Sequence, residues 1–169
     1  MAAGPSETDS AIEHKIRIAA APETVFAYFT DPAKMVEWMG TEATLDPRPG
    51  GVCRINPSGQ GAVLGQFVEV DPPRRVVFTW GWESEMFATP PQSTLVEVSL
   101  TPDGEGTIVQ LTHRRLHARA VALHRAGWEH YLARLALLAS GSDPGIDTWR
   151  DLEVLTQDLA AAGVSPDDM

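Results

Sequence analysis

The residues of this chain whose chemistry reaches beyond packing are five histidines, one cysteine and an unusual run of tryptophans. His113 shares the parity of Val109 and Leu111, so a strand there turns it inward. That makes it the best-placed group for a polar contact or a proton transfer, although a hydrogen-bonded core histidine satisfies the same pattern. Glu97 is the other candidate acid or base, but Val96, Val98 and Leu100 claim the inner face of its stretch and leave Glu97 to solvent. Cys53 has no histidine near it in sequence, and no Gly-x-Ser-x-Gly elbow occurs, so a buried thiol is the expectation rather than a nucleophile. His117 and His124 lie two helical turns apart, with no HExxH pattern and no carboxylate at ligand spacing. No metal site and no cofactor are expected, and Pro49-Gly50-Gly51 is a turn rather than a phosphate loop.

The aromatic residues carry more. Val76, Phe78, Trp80 and Trp82 alternate along one stretch and share a face. If that face is concave, it opposes Trp128 and Tyr131 across a pocket for an apolar or aromatic ligand. Trp38, Phe67, Met86 and Phe87 are large residues placed to join it, and His113 and His124 would supply its polar atoms. Each of these could equally fill the core. As a set they point to a cavity.

Positioning them requires a helix over His117–Ser140, about 24 residues and roughly 36 Å long. Val121, His124, Trp128, Leu132 and Leu135 recur along it every three or four residues, which makes one stripe. Upstream, Ile12, His14, Ile16 and Ile18 alternate with charged residues as a half-buried strand. Two short helices follow, one opened by Pro22 and the next by Asp31-Pro32, an N-cap and first-turn signal. Strand stretches then run over 42–45, 52–56, 62–70, 75–82, 94–100 and 107–114, separated by turn clusters rich in Pro, Gly and Asp. The loop 83–93 is longer than a tight hairpin needs, as loops that line a site often are. After Gly141, the residues Ile146, Trp149, Leu152, Leu155 and Leu159 predict an acidic amphipathic helix of about four turns. Its apolar stripe must bury on the domain's own outer face or on a partner subunit. Residues 1–11 read as a loose leader, 12–141 as the folded domain and 142–169 as an acidic helix and tail.

Composition narrows the partners. The formal net charge is −10, and residues 143–169 hold seven acids against Arg150 alone. That argues against nucleic acid or an anionic membrane as partner. No apolar run reaches membrane-spanning length, no signal peptide is apparent, and a lone cysteine suits a reducing compartment. A cytoplasmic protein is the expectation, with homodimerisation possible.

The order of these elements resembles the START-like, or Bet v 1-like, helix-grip (SRPBCC) superfamily. Within it the chain looks most like proteins homologous to the activator of the Hsp90 ATPase. The carriers are Ala21-Pro22-Glu23-Thr24-Val25-Phe26, Trp38, Arg48-Pro49-Gly50-Gly51, the stretch Gly65 to Trp80, and Gly127-Trp128 with Tyr131-Leu132. The resemblance covers about Ile12 to Gly141 and implies an α+β fold. A curved antiparallel sheet of about six to seven strands would wrap a long C-terminal helix, with a cavity between them. Three functions stay open: a binding module for a small hydrophobic or aromatic molecule, a cyclase- or hydrolase-like enzyme using His113, and an Hsp90 co-chaperone-like interaction domain. The acidic C-terminal helix departs from the family's minimal pattern and could alter access to the cavity.

Overall fold

The computed structural model describes residues 9–84 and 86–169, Met86 through its backbone alone. Most of the expected leader, and the expected ligand contact of the Met86 side chain, therefore lie outside the described residues. Seven strands form one antiparallel sheet: β1 (Ser10–Ile18), β2 (Glu42–Leu45), β3 (Val52–Asn56), β4 (Val63–Asp71), β5 (Arg75–Trp80), β6 (Thr94–Asp103) and β7 (Gly106–Leu116). Their spatial order is β1-β7-β6-β5-β4-β3-β2. The hairpins from β2 to β7 thus pair in sequence order, while β1 crosses over to close the far edge against β7. The first strand begins at Ser10, inside the expected leader, where Ser10 pairs with Leu116.

Alternation along the strands sorts the two faces. Val76, Phe78, Val96, Val98, Val109 and Leu111 are buried on the inner one. The outer face carries charges: Arg75 reaches Glu69 at 2.9 Å and Glu97 at 3.6 Å, and Arg114 reaches Glu97 at 3.2 Å. Such half-exposed pairs add little stability and keep the face wet. Glu97 is therefore an outward, paired carboxylate, as its neighbours require.

Between β1 and β2 lie α1 (Pro22–Thr30) and α2 (Pro32–Trp38). The Asp31 side chain accepts the Ala33 amide at 3.0 Å and caps α2, with Pro32 in its first turn. Trp38 locks the two helices together. Its indole N–H donates to the Tyr28 carbonyl at 2.9 Å, and its ring meets Phe29 edge-on at 5.3 Å.

The long helix α3 (Val121–Ala139) crosses the inner face and buries Leu123, His124, Trp128, Tyr131, Leu132 and Leu135. It starts four residues later than the periodicity predicts. The His117 side chain accepts the Arg119 amide and opens a 3-10 turn over Ala118–Ala120, so the first turn is tighter than an α-helix.

The C-terminal segment departs further from the sequence expectation. Instead of one four-turn helix from Ile146, it forms a 3-10 turn at Thr148–Arg150 and then α4 (Leu152–Ala161). Two aspartates cause the break. Asp147 caps the turn through the Trp149 amide, and Asp151 caps α4 through the amides of Glu153 and Val154. The break splits the predicted stripe. Trp149 and Leu159 are buried, whereas Ile146 is 85% exposed and Leu152 58%. The segment docks on this domain, and even Val164 near its end is buried.

Candidate functional site

A partly enclosed cavity of about 70 Å³ lies where α3, the end of β5 and the C-terminal segment meet. That is room for about five waters and for no more than one small ring. Trp80 and Trp82 line it from the sheet side, and Phe87 lines it from the 83–93 loop. From α3 come Leu123, His124, Gly127, Trp128 and Tyr131. His124, Gly127, Trp128 and Tyr131 are spaced i, i+3, i+4, i+7, so one helical stripe faces the void. Gly127 sits in the middle of that stripe, and a Cβ added there meets nothing within 4 Å. Trp149, Leu155 and Leu159 form the wall given by the C-terminal segment, with Met39, Pro57, Ser58 and Gln60 completing the lining.

Backbone detail places the tryptophans. A Cβ on Gly81 would lie 1.8 Å from the Pro90 carbonyl oxygen, so only glycine lets the returning loop close over the end of β5. The Trp82 amide donates to the Thr89 carbonyl at 2.8 Å, fixing the loop from the other side. Phe87 then meets the Trp82 ring edge-on at 5.0 Å.

Beneath the aromatic layer lie two indole–imidazole pairs. Trp82 donates its indole N–H to His124 Nε2 at 3.2 Å, and His124 Nδ1 lies 2.8 Å from the Ala120 carbonyl oxygen. Trp128 donates to His113 Nδ1 at 3.0 Å, and His113 Nε2 lies 2.7 Å from the Thr94 hydroxyl, which donates to the Trp80 carbonyl. An indole N–H only donates, so the nitrogen receiving it carries no proton. His124 is therefore the Nδ1–H tautomer and His113 the Nε2–H tautomer. Burial pushes His124 down to about 4 despite its bond to the Ala120 carbonyl. Burial, and then the neighbouring His124, hold His113 well below the usual imidazole range. The rings stand 5.0 Å apart, both neutral at pH 7.

At the outer wall Asp147 is 4% exposed and gathers three donors. His130 Nε2 lies 2.7 Å and the Trp149 amide 3.0 Å from its Oδ1, and the Tyr131 hydroxyl donates to Oδ2 at 2.9 Å. Burial works to raise this carboxyl, but hydrogen bonds from His130, the Trp149 amide and Tyr131 outweigh it and hold it below the usual carboxylate range. Burial also raises the Tyr131 hydroxyl, with the Asp147 charge adding to it.

Of the expected ligand contacts, the structure brings Trp80, Trp82, Phe87, His124, Trp128 and Tyr131 to one cavity. It places Trp38, Phe67 and Phe78 in the packed interior, away from the lining. Phe67 and Phe78 face each other edge-on at 6.1 Å. His113 lies behind Trp128, fully buried, with both ring nitrogens engaged. Cys53 is a buried thiol pushed up to about 12 by desolvation. Among the described residues no group of three His, Cys, Asp or Glu side chains could hold a metal ion. Likewise no described helix is long and apolar enough to cross a membrane. Sequence reasoning missed Gly127, Asp147 and the wall made by Trp149. The Asp-x-Trp spacing of an aspartate cap was the available signal for the last two.

Seven antiparallel strands around one long helix, with two short helices after the first strand, define a helix-grip protein. The chain belongs to the family described as activator of Hsp90 ATPase homolog 1-like protein, whose model matches residues 19–140. An AHSA1-like protein of Rhizobium etli is 42% identical over 83% of this chain and 88% of its own, with a TM-score of 0.67. CalU16 of Micromonospora echinospora is 24% identical, covers 94% of this chain and 88% of its own, and superposes with a TM-score of 0.70. An HSP90 activator of Plasmodium falciparum covers 76% of this chain and 94% of its own at 20% identity and a TM-score of 0.62. The last two show a shared fold alone. No match was found among curated proteins.

Proposed function

We propose that this protein binds a small, uncharged, apolar or aromatic molecule in the cavity between α3, the end of β5 and the C-terminal segment. The observation that carries the reading is the wall itself. Trp80, Trp82, Phe87, Trp128, Tyr131 and Trp149 surround a void that, among the described residues, no charged side chain lines. Burying a ring against such walls is worth about 25 cal/mol per Å² of apolar surface, whereas a charged ligand would lose its hydration without compensation. The Trp80 indole N–H supports one refinement. It is buried without a hydrogen-bond partner among the described residues, which favours a ligand carrying an acceptor oxygen.

Chemistry by His113 finds less support, because both ring nitrogens are used and its neutral form is strongly favoured. The test is a panel of neutral aromatics, lipids and charged analogues, followed by thermal shift and tryptophan fluorescence. Neutral aromatics should raise the melting temperature and perturb the emission, and their charged analogues should not. A panel in which no neutral compound acts would reject the reading.

A further inference from the structure

One wall of the cavity does not come from the helix-grip core. It is supplied by the segment after Gly141, outside the residues matched by the family model. We infer that Trp149 sets the upper size limit of the ligand this pocket accepts, and that Asp147 is the positioning residue that holds Trp149 in place. The inference rests on the ligand-binding reading above and adds to it a determinant of selectivity.

Trp149 is held by two ring contacts and two hydrogen bonds. Its ring stacks on His130 at 4.0 Å with an interplanar angle of 3° and meets Tyr131 edge-on at 5.7 Å. Its indole N–H donates to Asp158 of α4 at 2.8 Å, and its amide donates to Asp147. Asp147 in turn takes hydrogen bonds from His130 and Tyr131 of α3. One buried carboxylate therefore ties the tryptophan's backbone to the helix that lines the other side of the cavity. Tyr131 belongs to both structures, since its ring lines the cavity while its hydroxyl anchors the wall. A plain core tryptophan would not need a buried charge to hold it. Here the charge gives a single defined ring position, and a rigid flat ring is an efficient stop for a flat ligand.

Besides the burial of Leu159 and Val164 against the core, polar contacts attach the segment. Arg134 reaches the carbonyls of Pro144 and Gly145, and Gln60 reaches the Arg150 carbonyl at 3.2 Å. The cavity as closed by Trp149 is about 70 Å³, room for no more than one small ring. Removing its indole would enlarge the cavity on that side.

The test is calorimetric titration of the full chain with p-cresol, 2-naphthol and 1-hydroxypyrene, a neutral series of rising size. The expected result is that Trp149→Ala, whatever its effect on p-cresol binding itself, shifts the ratio of 1-hydroxypyrene to p-cresol affinity by about tenfold in favour of the larger probe. Trp149→Phe should keep the ratio close to that of the unaltered chain. Asp147→Asn, which keeps the side-chain shape, should shift it in the same direction as Trp149→Ala but less. If Trp149→Ala does not fold, Asp147→Asn decides. An unchanged ratio in the folded variants, or equal weakening towards all three probes, overturns the size-limit inference and leaves the binding reading standing. Failure of the unaltered chain to bind any of the three overturns both.

Discussion

At the level of single residues, the two buried histidines make stability depend on pH just below neutrality. His124 is held neutral with a pKa of about 4, against about 6.5 when unfolded. Below about pH 6.5 the unfolded chain therefore binds a proton that the folded one refuses, and stability falls as pH drops towards 4. The slope is about 1.4 kcal/mol per pH unit for each such histidine, and His113 adds to it in the same direction. Urea titrations at pH 7.5, 6 and 5 should show this loss, and His124→Gln should flatten the dependence while lowering stability at pH 7.5. A second expectation concerns the indole donors. Trp128→Phe removes the hydrogen bond to a buried His113 nitrogen and should cost about 1–3 kcal/mol for the orphaned acceptor plus lost packing. Denaturant midpoints measure that directly. The inward direction of His113 was legible from the parity of Val109 and Leu111. Its saturation was not, because its partners Thr94 and Trp128 are distant in sequence and are brought together only by the β6–β7 pairing and the docking of α3.

Among the elements, the strands and the short helices were readable because each has a local cause: alternation, proline at a first helical turn, an aspartate cap. The C-terminal segment was not, because a stripe from Ile146 to Leu159 looks continuous on a helical wheel. Asp147 and Asp151 interrupt it by offering amides a better acceptor than the helix does. The same Asp147 then anchors the segment to α3. Asp147→Ala leaves the His130 ring, the Tyr131 hydroxyl and the Trp149 amide without their acceptor, so a loss of about 2–3 kcal/mol is expected in chemical denaturation. Because the folded carboxyl titrates below its unfolded value, its contribution is present at neutral pH and fades only as pH falls below the usual carboxylate range. This window lies below the one governed by the histidines, so the two effects separate in a pH series. Gly81 makes the companion case at the end of β5. Gly81→Ala puts a methyl group against the Pro90 carbonyl and should destabilise the chain by about 1–3 kcal/mol, read as a lower melting temperature.

At the scale of the whole molecule, a sheet and a helix that could have packed solidly leave a void between them. Part of the cause is one missing side chain. Gly127 lies on the inward stripe of α3, where its neighbours His124, Trp128 and Tyr131 all reach the cavity. A mid-helix glycine costs about 0.8–1 kcal/mol relative to alanine, so its place in α3 is understandable if the space it leaves is used. The fold resemblance implies a space between helix and sheet, whereas three of the residues lining this void, Trp149, Leu155 and Leu159, lie outside the stretch that carries it. The most direct test compares the unaltered chain with Gly127→Leu in a calorimetric titration with p-cresol, alongside thermal denaturation of both. Saturable binding at one site in the unaltered chain should disappear in Gly127→Leu, which remains folded and melts no lower, because leucine fills the void and favours the helix. Absence of binding to the unaltered chain, or equal binding by both, would contradict a ligand site in this cavity.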